Sequence, residues 1–426
     1  MGIVLCFIIS FLFPRLFYVS KLLLLIYFTV TLLDIFILYR TNNGIVGKRQ
    51  LPDKLSNGDE NEIYLKLENY YTFPVFTTII DEIPEQFQVR DFSIERKIKP
   101  SSIVELKYKL RPTERGEYTF GKLNVYVATS LGLVSRRYHF DKEAMVPTYP
   151  AFLQLKKYDL LAIGNNLTMY GIKKIRRIGH TMEFEQIKEY VIGDDLRTIN
   201  WKATAKQRQL MVNQYQDEKS QPIYSVIDKG RMMKMPFNEL SLLDYAINAT
   251  LVMSNVVLKK QDKAGMFTFS KKVDNMVIAE RRSSQMNLIL EALYNVKTDF
   301  FESDYGRLYA NIKQTIKHRS LLLLYTNFET VEALNRQLPY LKGIAKSHLL
   351  VVIFFKNTEL DQLIHTDVTN IQEAYDKVIA EKFSFEKRLI VNELKKYGIH
   401  SILTTPENLT IDAINKYLEM KSRGLV

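Results

Sequence analysis

Cysteine and tryptophan each occur once in this 426-residue chain, as Cys6 and Trp201. A lone cysteine excludes an intramolecular disulfide and any Cys/His metal knuckle. Because Cys6 lies in an apolar N-terminal run, it is no nucleophile for a soluble site either. Freedom from disulfides is compatible with a reducing cytosol. The histidines, at 139, 180, 318, 348, 365 and 400, fall in no H-x-x-x-H or H-E-x-x-H spacing, and no G-x-S-x-G elbow is present. An enzyme would need a carboxylate-and-lysine site that no spacing marks, so a non-catalytic protein without a small-molecule substrate is expected. Dense basic blocks are missing too. The net charge is +12, but 59 basic and 47 acidic residues are interspersed. That pattern argues for a solvated surface or a face beside an anionic membrane, not for a nucleic-acid arm.

What is present suits globular domains: 46% hydrophobic and 25% charged residues, in a chain long enough for two or three domains. The first 39 residues carry only Arg15, Lys21 and Asp34 as charges. The run from Leu22 to Leu38 approaches the roughly 20 residues that cross a bilayer core as a helix. With the earlier run from Gly2 to Phe13, it predicts a transmembrane hairpin over 1–40 that turns near Pro14 to Lys21. A signal peptide fits less well, since there is no basic start and no small-residue cleavage site. Asp34 is costly in lipid unless paired or interfacial. Arg40, Lys48 and Arg49 after the span, against Arg15 and Lys21 before it, favour an inner-membrane protein with its soluble part in the cytoplasm.

Over 41–150 the period becomes two, as in Glu62 to Glu68, Ile103 to Leu110 and Lys122 to Val127. Turn formers at Asn57-Gly58-Asp59, Lys99-Pro100-Ser101 and Glu114-Arg115-Gly116 separate these runs, which predicts a small antiparallel β-sandwich. Gly116 to Lys122 nearly matches a phosphate-binding loop. However, Leu123 stands where the loop needs Ser or Thr, and Tyr118 and Phe120 alternate as in a strand.

Residues 151–220 form a linker and a signature segment. Gly193-Asp194-Asp195 is a turn whose carboxylate can cap a helix beginning near Leu196 and pair with Arg197. Two neighbouring carboxylates can also bind metal or shift each other's pKa, although adjacent side chains point apart. Trp201 is expected to lock this element onto the next domain, and Lys202, Lys206 and Arg208 to form a basic face.

Glu183-Phe184, Glu189-Tyr190 and the run Gly193-Asp194-Asp195-x-Arg197-x-Ile199-x-Trp201, followed by Ala205, resemble the bacterial proteins of domain-of-unknown-function family fifty-eight. Lys188 and Thr204 are mild departures, where that family usually has Arg and often Ser. The N-terminal hairpin, Arg115 to Gly121 and Leu131-Gly132-Leu133 extend the resemblance over nearly the whole chain.

Over 221–426, buried strands alternate with helices: strands Ile223–Ile227, Ala264–Ser270, Leu321–Tyr325, His348–Phe355 and Ser401–Leu403, with helices between and after them. This predicts a doubly wound, Rossmann-type α/β domain that resembles a von Willebrand A domain, in an α+β multidomain chain. Such domains hold Mg²⁺ at the carboxyl end of the sheet through D-x-S-x-S, a Thr and an Asp. Here the first motif reads Asp228-Lys229-Gly230-Arg231-Met232, and the later aspartate is Asn327. A degenerate, empty metal site is expected, with Asp228 and Asn327 bonding each other or capping loops. The resemblance implies a membrane-anchored interaction or assembly factor that partners a MoxR-type AAA+ ATPase and other membrane-associated proteins. A metal-dependent adhesion module facing the periplasm is the alternative, and a hydrolase acting through carboxylates a third reading.

Overall fold

A computed structural model describes residues 4, 7–9, 13, 16–140, 143–153, 183–192, 194, 196–216, 220–366, 368 and 370–425, without the side chains of 183–186 and 214–216. The chain divides into two compact units, Met1–Tyr149 and Pro150–Val426.

The first unit opens with helix α1, Leu16–Arg40, which is long and apolar enough to cross a membrane. Its 25 residues span about 37 Å. The expected turn between Pro14 and Lys21 is therefore largely helix. Residues 16–21 contain no breaker, and Ser20 Oγ donates to the Leu16 carbonyl at 3.0 Å instead of opening the backbone. Most of the first apolar run, and with it the two-span hairpin, lies outside the described residues.

Asp34 is the residue that looked misplaced, and the β-rich part of the same unit accounts for it. Thr129 Oγ1 donates to Asp34 Oδ1 at 2.5 Å and the Val134 amide to Oδ2 at 3.1 Å. One turn later Tyr71 Oη and Arg136 Nη1 donate to the Leu38 carbonyl, at 2.8 and 2.7 Å. Arg136 also reaches the Thr41 carbonyl at 2.7 Å, so a cation closes the negative end of the helix. The last turns of α1 thus dock on protein, and the 18 residues ahead of Asp34 leave about 27 Å to span a bilayer.

The strands of this unit are β1 (Ile45–Gln50), β2 (Leu55–Ser56), β3 (Asn61–Asn69), β4 (Val75–Asp81), β5 (Ile94–Ile98), β6 (Ile103–Leu110), β7 (Gly116–Phe120), β8 (Leu123–Ala128), β9 (Ser135–Phe140) and β10 (Ala144–Tyr149). They form sheets of order β1-β3-β6, β5-β4-β8-β9 and β2-β10-β7, antiparallel except for the β2–β10 pair. Ile63, Leu65 and Leu67 of β3 face Val75 and Ile79 of β4 and Val125 of β8 in one core. The alternation read from the sequence is this inward row. The phosphate-loop look-alike is simply strand β7. Arg49, counted above as a juxtamembrane cation, is instead buried against Asp81 at 2.5 Å, with Tyr108 Oη on the other carboxylate oxygen.

In the second unit β11 (Glu183–Glu189) pairs antiparallel with β12 (Met211–Gln216), and helix α2 (Trp201–Gln207) lies between them in sequence. There follow β13 (Pro222–Asp228), β14 (Pro236–Phe237), β15 (Leu240–Ser241), α3 (Leu242–Lys259), β16 (Lys263–Phe269), β17 (Val273–Glu280), α4 (Gln285–Tyr294) and α5 (Tyr305–Thr315). The chain continues with β18 (Leu321–Tyr325), α6 (Val331–Ser347), β19 (Leu349–Phe355), α7 (Thr358–His365), α8 (Ile371–Lys396), β20 (His400–Thr404) and α9 (Leu409–Ser422). The main sheet has the order β17-β16-β13-β18-β19-β20, parallel except for β17. β17 and α5 were not foreseen: β17 carries a mixed, half-exposed sequence, whereas α5 does place Tyr305, Leu308 and Ile312 inward at helical spacing, a signal the sequence reading passed over.

The strands are apolar without interruption because both faces are covered. Ile223, Leu323 and Ile353 pack with α3, α4 and α9 on one side. Tyr224, Leu324 and Phe354 pack with α5, α6 and α8 on the other. The first strand of this sheet, β13, sits in mid-sheet between β16 and β18, so the chain reverses direction there. Ligands of doubly wound sheets bind at such a reversal, outside the carboxyl ends.

Candidate functional site

Two regions of the second unit carry the residues singled out by sequence. At the reversal point, Asp228 ends β13 and is 3% exposed. Its carboxylate is fully engaged. Oδ1 accepts from the Gly230 amide at 2.8 Å and from Ser303 Oγ. Oδ2 accepts from Thr326 Oγ1 at 2.7 Å and Tyr305 Oη at 3.3 Å. Burial pushes the Asp228 carboxyl up, against the hydrogen bonds that pull it down. Burial, and then the Asp228 charge, push the Tyr305 phenol well up.

The missing first serine of D-x-S-x-S has a steric reason here. A Cβ at Gly230 would collide with Ser303 Oγ and stand 3.0 Å from Asp228 Oδ1. Ser303, from the segment before α5, fills the space that a residue-230 side chain would need. Backbone bonds seal that segment down: Asp299 N to Lys229 O at 2.7 Å, Arg231 N to Phe301 O at 3.0 Å and Asp304 N to Ser270 O at 2.9 Å. Lys229 pairs at 3.0 Å with both Asp274 and Asp299. Burial pulls its ammonium down, but the two carboxylates outweigh it and hold it above its ordinary value.

Asn327 does not bond Asp228, contrary to one expectation. Its Oδ1 accepts from Lys387 Nζ at 2.6 Å, because α8 brings that lysine across the end of β18. Asp228 alone therefore supplies anionic charge to its cluster, and the hydroxyls around it donate toward it. Mg²⁺ wants about six oxygens and several negative charges, so this donor set does not fit it. Among the described residues no group of three or more His, Cys, Asp or Glu side chains could hold a metal. Ser303, Tyr305 and Thr326 were missed in the sequence. Only Thr326, directly after a buried strand, had a positional signal.

The second region is the signature hairpin. Gly193 and Asp195 lie outside the described residues. Asp194 does not cap a helix at Leu196, where a single 3₁₀ turn (Leu196–Thr198) forms instead. Its Oδ2 accepts from the Val191 amide and its Oδ1 from Lys188 Nζ, both at 3.0 Å, closing the turn on itself. The Val191 amide, and then Lys188, hold the Asp194 carboxyl below its ordinary value. The true cap is Asn200, whose Oδ1 accepts from the Ala203 amide at 3.0 Å and so starts α2 at Trp201. Asn200 also donates to Asn213 Oδ1 at 2.9 Å, and the Met211 amide to Thr204 Oγ1 at 3.0 Å, fixing the helix on β12.

This bracing turns the apolar residues outward. Trp201 is 70% exposed and does not lock onto a neighbouring domain. Ile192 is 95%, Leu196 64% and Val191 62% exposed. Arg197, Lys202, Lys206 and Arg208 are exposed beside them.

Residues 186–372 match the family described as "Protein of unknown function DUF58". The "Uncharacterized protein YeaD" of Bacillus subtilis (strain 168) is 24% identical over 233 residues, which are 53% of this chain and 56% of that protein. The chain thus spans little more than half the length of this curated relative. Among solved structures, the SpRpn10 VWA domain overlaps 46% of this chain and 93% of its own, at 10% identity and a TM-score of 0.29. The PapD-like domain of human CEP192 overlaps 26% of this chain and 87% of its own, at 15% identity and a TM-score of 0.21. Likenesses that low carry no argument. The match over residues 186–372 takes in the signature hairpin from Gln186 onward and most of the α/β unit, in keeping with the resemblance carried by the signature residues.

Proposed function

We propose that this protein is a membrane-anchored interaction or assembly factor whose signature hairpin docks a protein partner. The carrying observation is the outward display of Val191, Ile192, Leu196 and Trp201 within one short stretch, beside four cations. Large apolar side chains held in water by a braced hairpin are costly unless a partner covers them. Trp and Arg are also the residue types that dominate interface energies. The resemblance implies the partner: an ATPase of the MoxR-type AAA+ class. The strand order, with the first strand central and one antiparallel edge, supports a von Willebrand A-like reading of the α/β unit.

Helix α1 supplies the anchor, in the inner membrane of a bacterium. With Arg49 in a protein core, Arg40 and Lys48 only balance Arg15 and Lys21, so local charge no longer decides the orientation. A cytoplasmic soluble part follows from the partner's need for ATP. A reporter fused after Val426 should be active only in its cytoplasmic form.

The test is crosslinked capture from membranes. The wild type should retain an AAA+ ATPase, and Trp201→Ala with Ile192→Ser should reduce capture at least tenfold without altering the melting temperature. Absence of any such ATPase from the wild-type capture would overturn the partner, and capture unaffected by these substitutions would overturn the surface.

A further inference from the structure

The carboxyl edge of the main sheet is not sealed along its whole length. Beyond β18 the ends of β19 and β20 open into a cavity of about 810 Å³, roofed by α7 and walled by α8 and the β14–β15 hairpin. This is within the size of small-molecule sites, which combine apolar walls with a few convergent polar groups. The walls are mainly Phe237, Phe355, Leu360, Ile364, Phe383 and Leu403.

Two polar groups converge on one side. Lys387 Nζ donates to Asn327 Oδ1 at 2.6 Å and to the Phe328 carbonyl at 2.5 Å, which uses two of its three protons. Among the described residues no carboxylate lies within ion-pair distance of Lys387. The Asn327 amide nitrogen, its oxygen taken by the lysine, has no partner there either. Both groups border the cavity. The site therefore offers N–H donors and an ammonium without a counter-ion. Burying a cation in this way is expensive until an anion joins it. Burial pulls the Lys387 ammonium down to about 8, while the more distant Glu329 opposes this.

The rim limits which anion fits. Glu329, Glu359 and Asp361 border the cavity, and among the described residues only Asp361 is neutralised locally, by Lys356. Arg388 and His365 complete the charged lining. A dianion would meet about twice the repulsion from Glu329 and Glu359 that a single negative charge meets, and beside Lys387 the single charge is the one a lone ammonium balances.

We infer that this cavity binds a small monocarboxylate with an apolar body, its head held by Lys387 and Asn327 and its body among the aromatic and aliphatic walls. The inference is independent of the docking surface on the signature hairpin.

Full-length protein in phosphatidylcholine nanodiscs, titrated calorimetrically against empty-nanodisc blanks, tests it with 4-phenylbutyrate, 4-phenylbutanol and 4-phenylbutylamine as probes. One saturable site for the acid is expected, at least tenfold tighter than for the alcohol or amine. Lys387→Met should erase that preference while leaving weak alcohol binding, and Lys387→Arg should keep part of it. Leu360→Trp, which fills the cavity with the lysine intact, should abolish acid binding. Equal affinity for the three probes overturns the inference, as does the lack of saturable acid binding. If Lys387→Met fails to fold, Leu360→Trp decides alone: unchanged acid affinity in that variant overturns the site.

Discussion

The two halves of one sheet edge solve the same problem in opposite ways. Over β13 and β16 the crevice is closed. Asp228 is buried with four donors on its two oxygens, and the 299–304 segment is fastened across it by backbone bonds. Over β19 and β20 the crevice stays open, and Lys387 is held by two neutral acceptors with no carboxylate, among the described residues, within ion-pair distance. Topology made both halves candidates, because every parallel strand ends there. The polar side chains decide between them. A buried charge satisfied from within has no need of a ligand, whereas one left incomplete does.

Replacing Asp228 with Ala should break the closed half most severely. It strands the hydroxyls of Ser303, Tyr305 and Thr326, and denaturant unfolding should show a loss of about 3 kcal/mol. EDTA added to the wild type should leave its melting temperature unmoved; a drop would mean that a metal and not hydroxyls holds the cluster. Gly230→Ser, which restores one serine of the metal motif, should cost about 2 kcal/mol through collision with Ser303 and should confer no Mg²⁺ affinity by calorimetry. Pairing it with Ser303→Gly should recover most of that loss.

The open half has a pH signature. Lys387 is depressed in the folded state to about 8, below its unfolded value. Its penalty is thus fully present below pH 8 and is relieved as pH rises from there toward the unfolded value, since the folded form then gives up the proton first. Stability of the wild type relative to Lys387→Met should rise by about 3 kcal/mol across that window, measured by denaturation at stepped pH. A flat difference would show that the ammonium is already compensated. The smallest effect belongs to the signature hairpin. Trp201→Ala should change stability by less than about 0.5 kcal/mol in the same assay, because the indole is mostly in water.

Legibility followed the physics of each signal. The apolar runs Leu321–Tyr325 and His348–Phe355 announced central strands because a strand covered on both faces must be apolar throughout. The alternation in Glu62–Glu68 announced β3 for the complementary reason, one face in and one out. The Gly193-Asp194-Asp195 turn was expected to supply a carboxylate cap near Leu196; Asp194 closes its own turn instead, and Asn200, six residues on, caps α2. Trp201 was expected to lock its element onto the next domain, because a large indole usually finds a surface to pack against. Its exposure depends on the Asn200 and Thr204 braces, which no window of sequence displays.

The sequence by itself determined an apolar N-terminal helix, a β-rich unit, an α/β unit and the family-bearing signature, since periodicity and motif spacing are local properties of the chain. It also showed that the run from Asp228 to Met232 carries no serine. Only the tertiary structure decided which hydroxyls surround Asp228 instead. Ser303 meets Asp228 from 75 residues away, Lys387 meets Asn327 from 60, and Thr129 meets Asp34 from 95. Such pairings depend on how the elements stack, because a buried polar group takes its partner from whatever the fold brings near, not from its sequence neighbours.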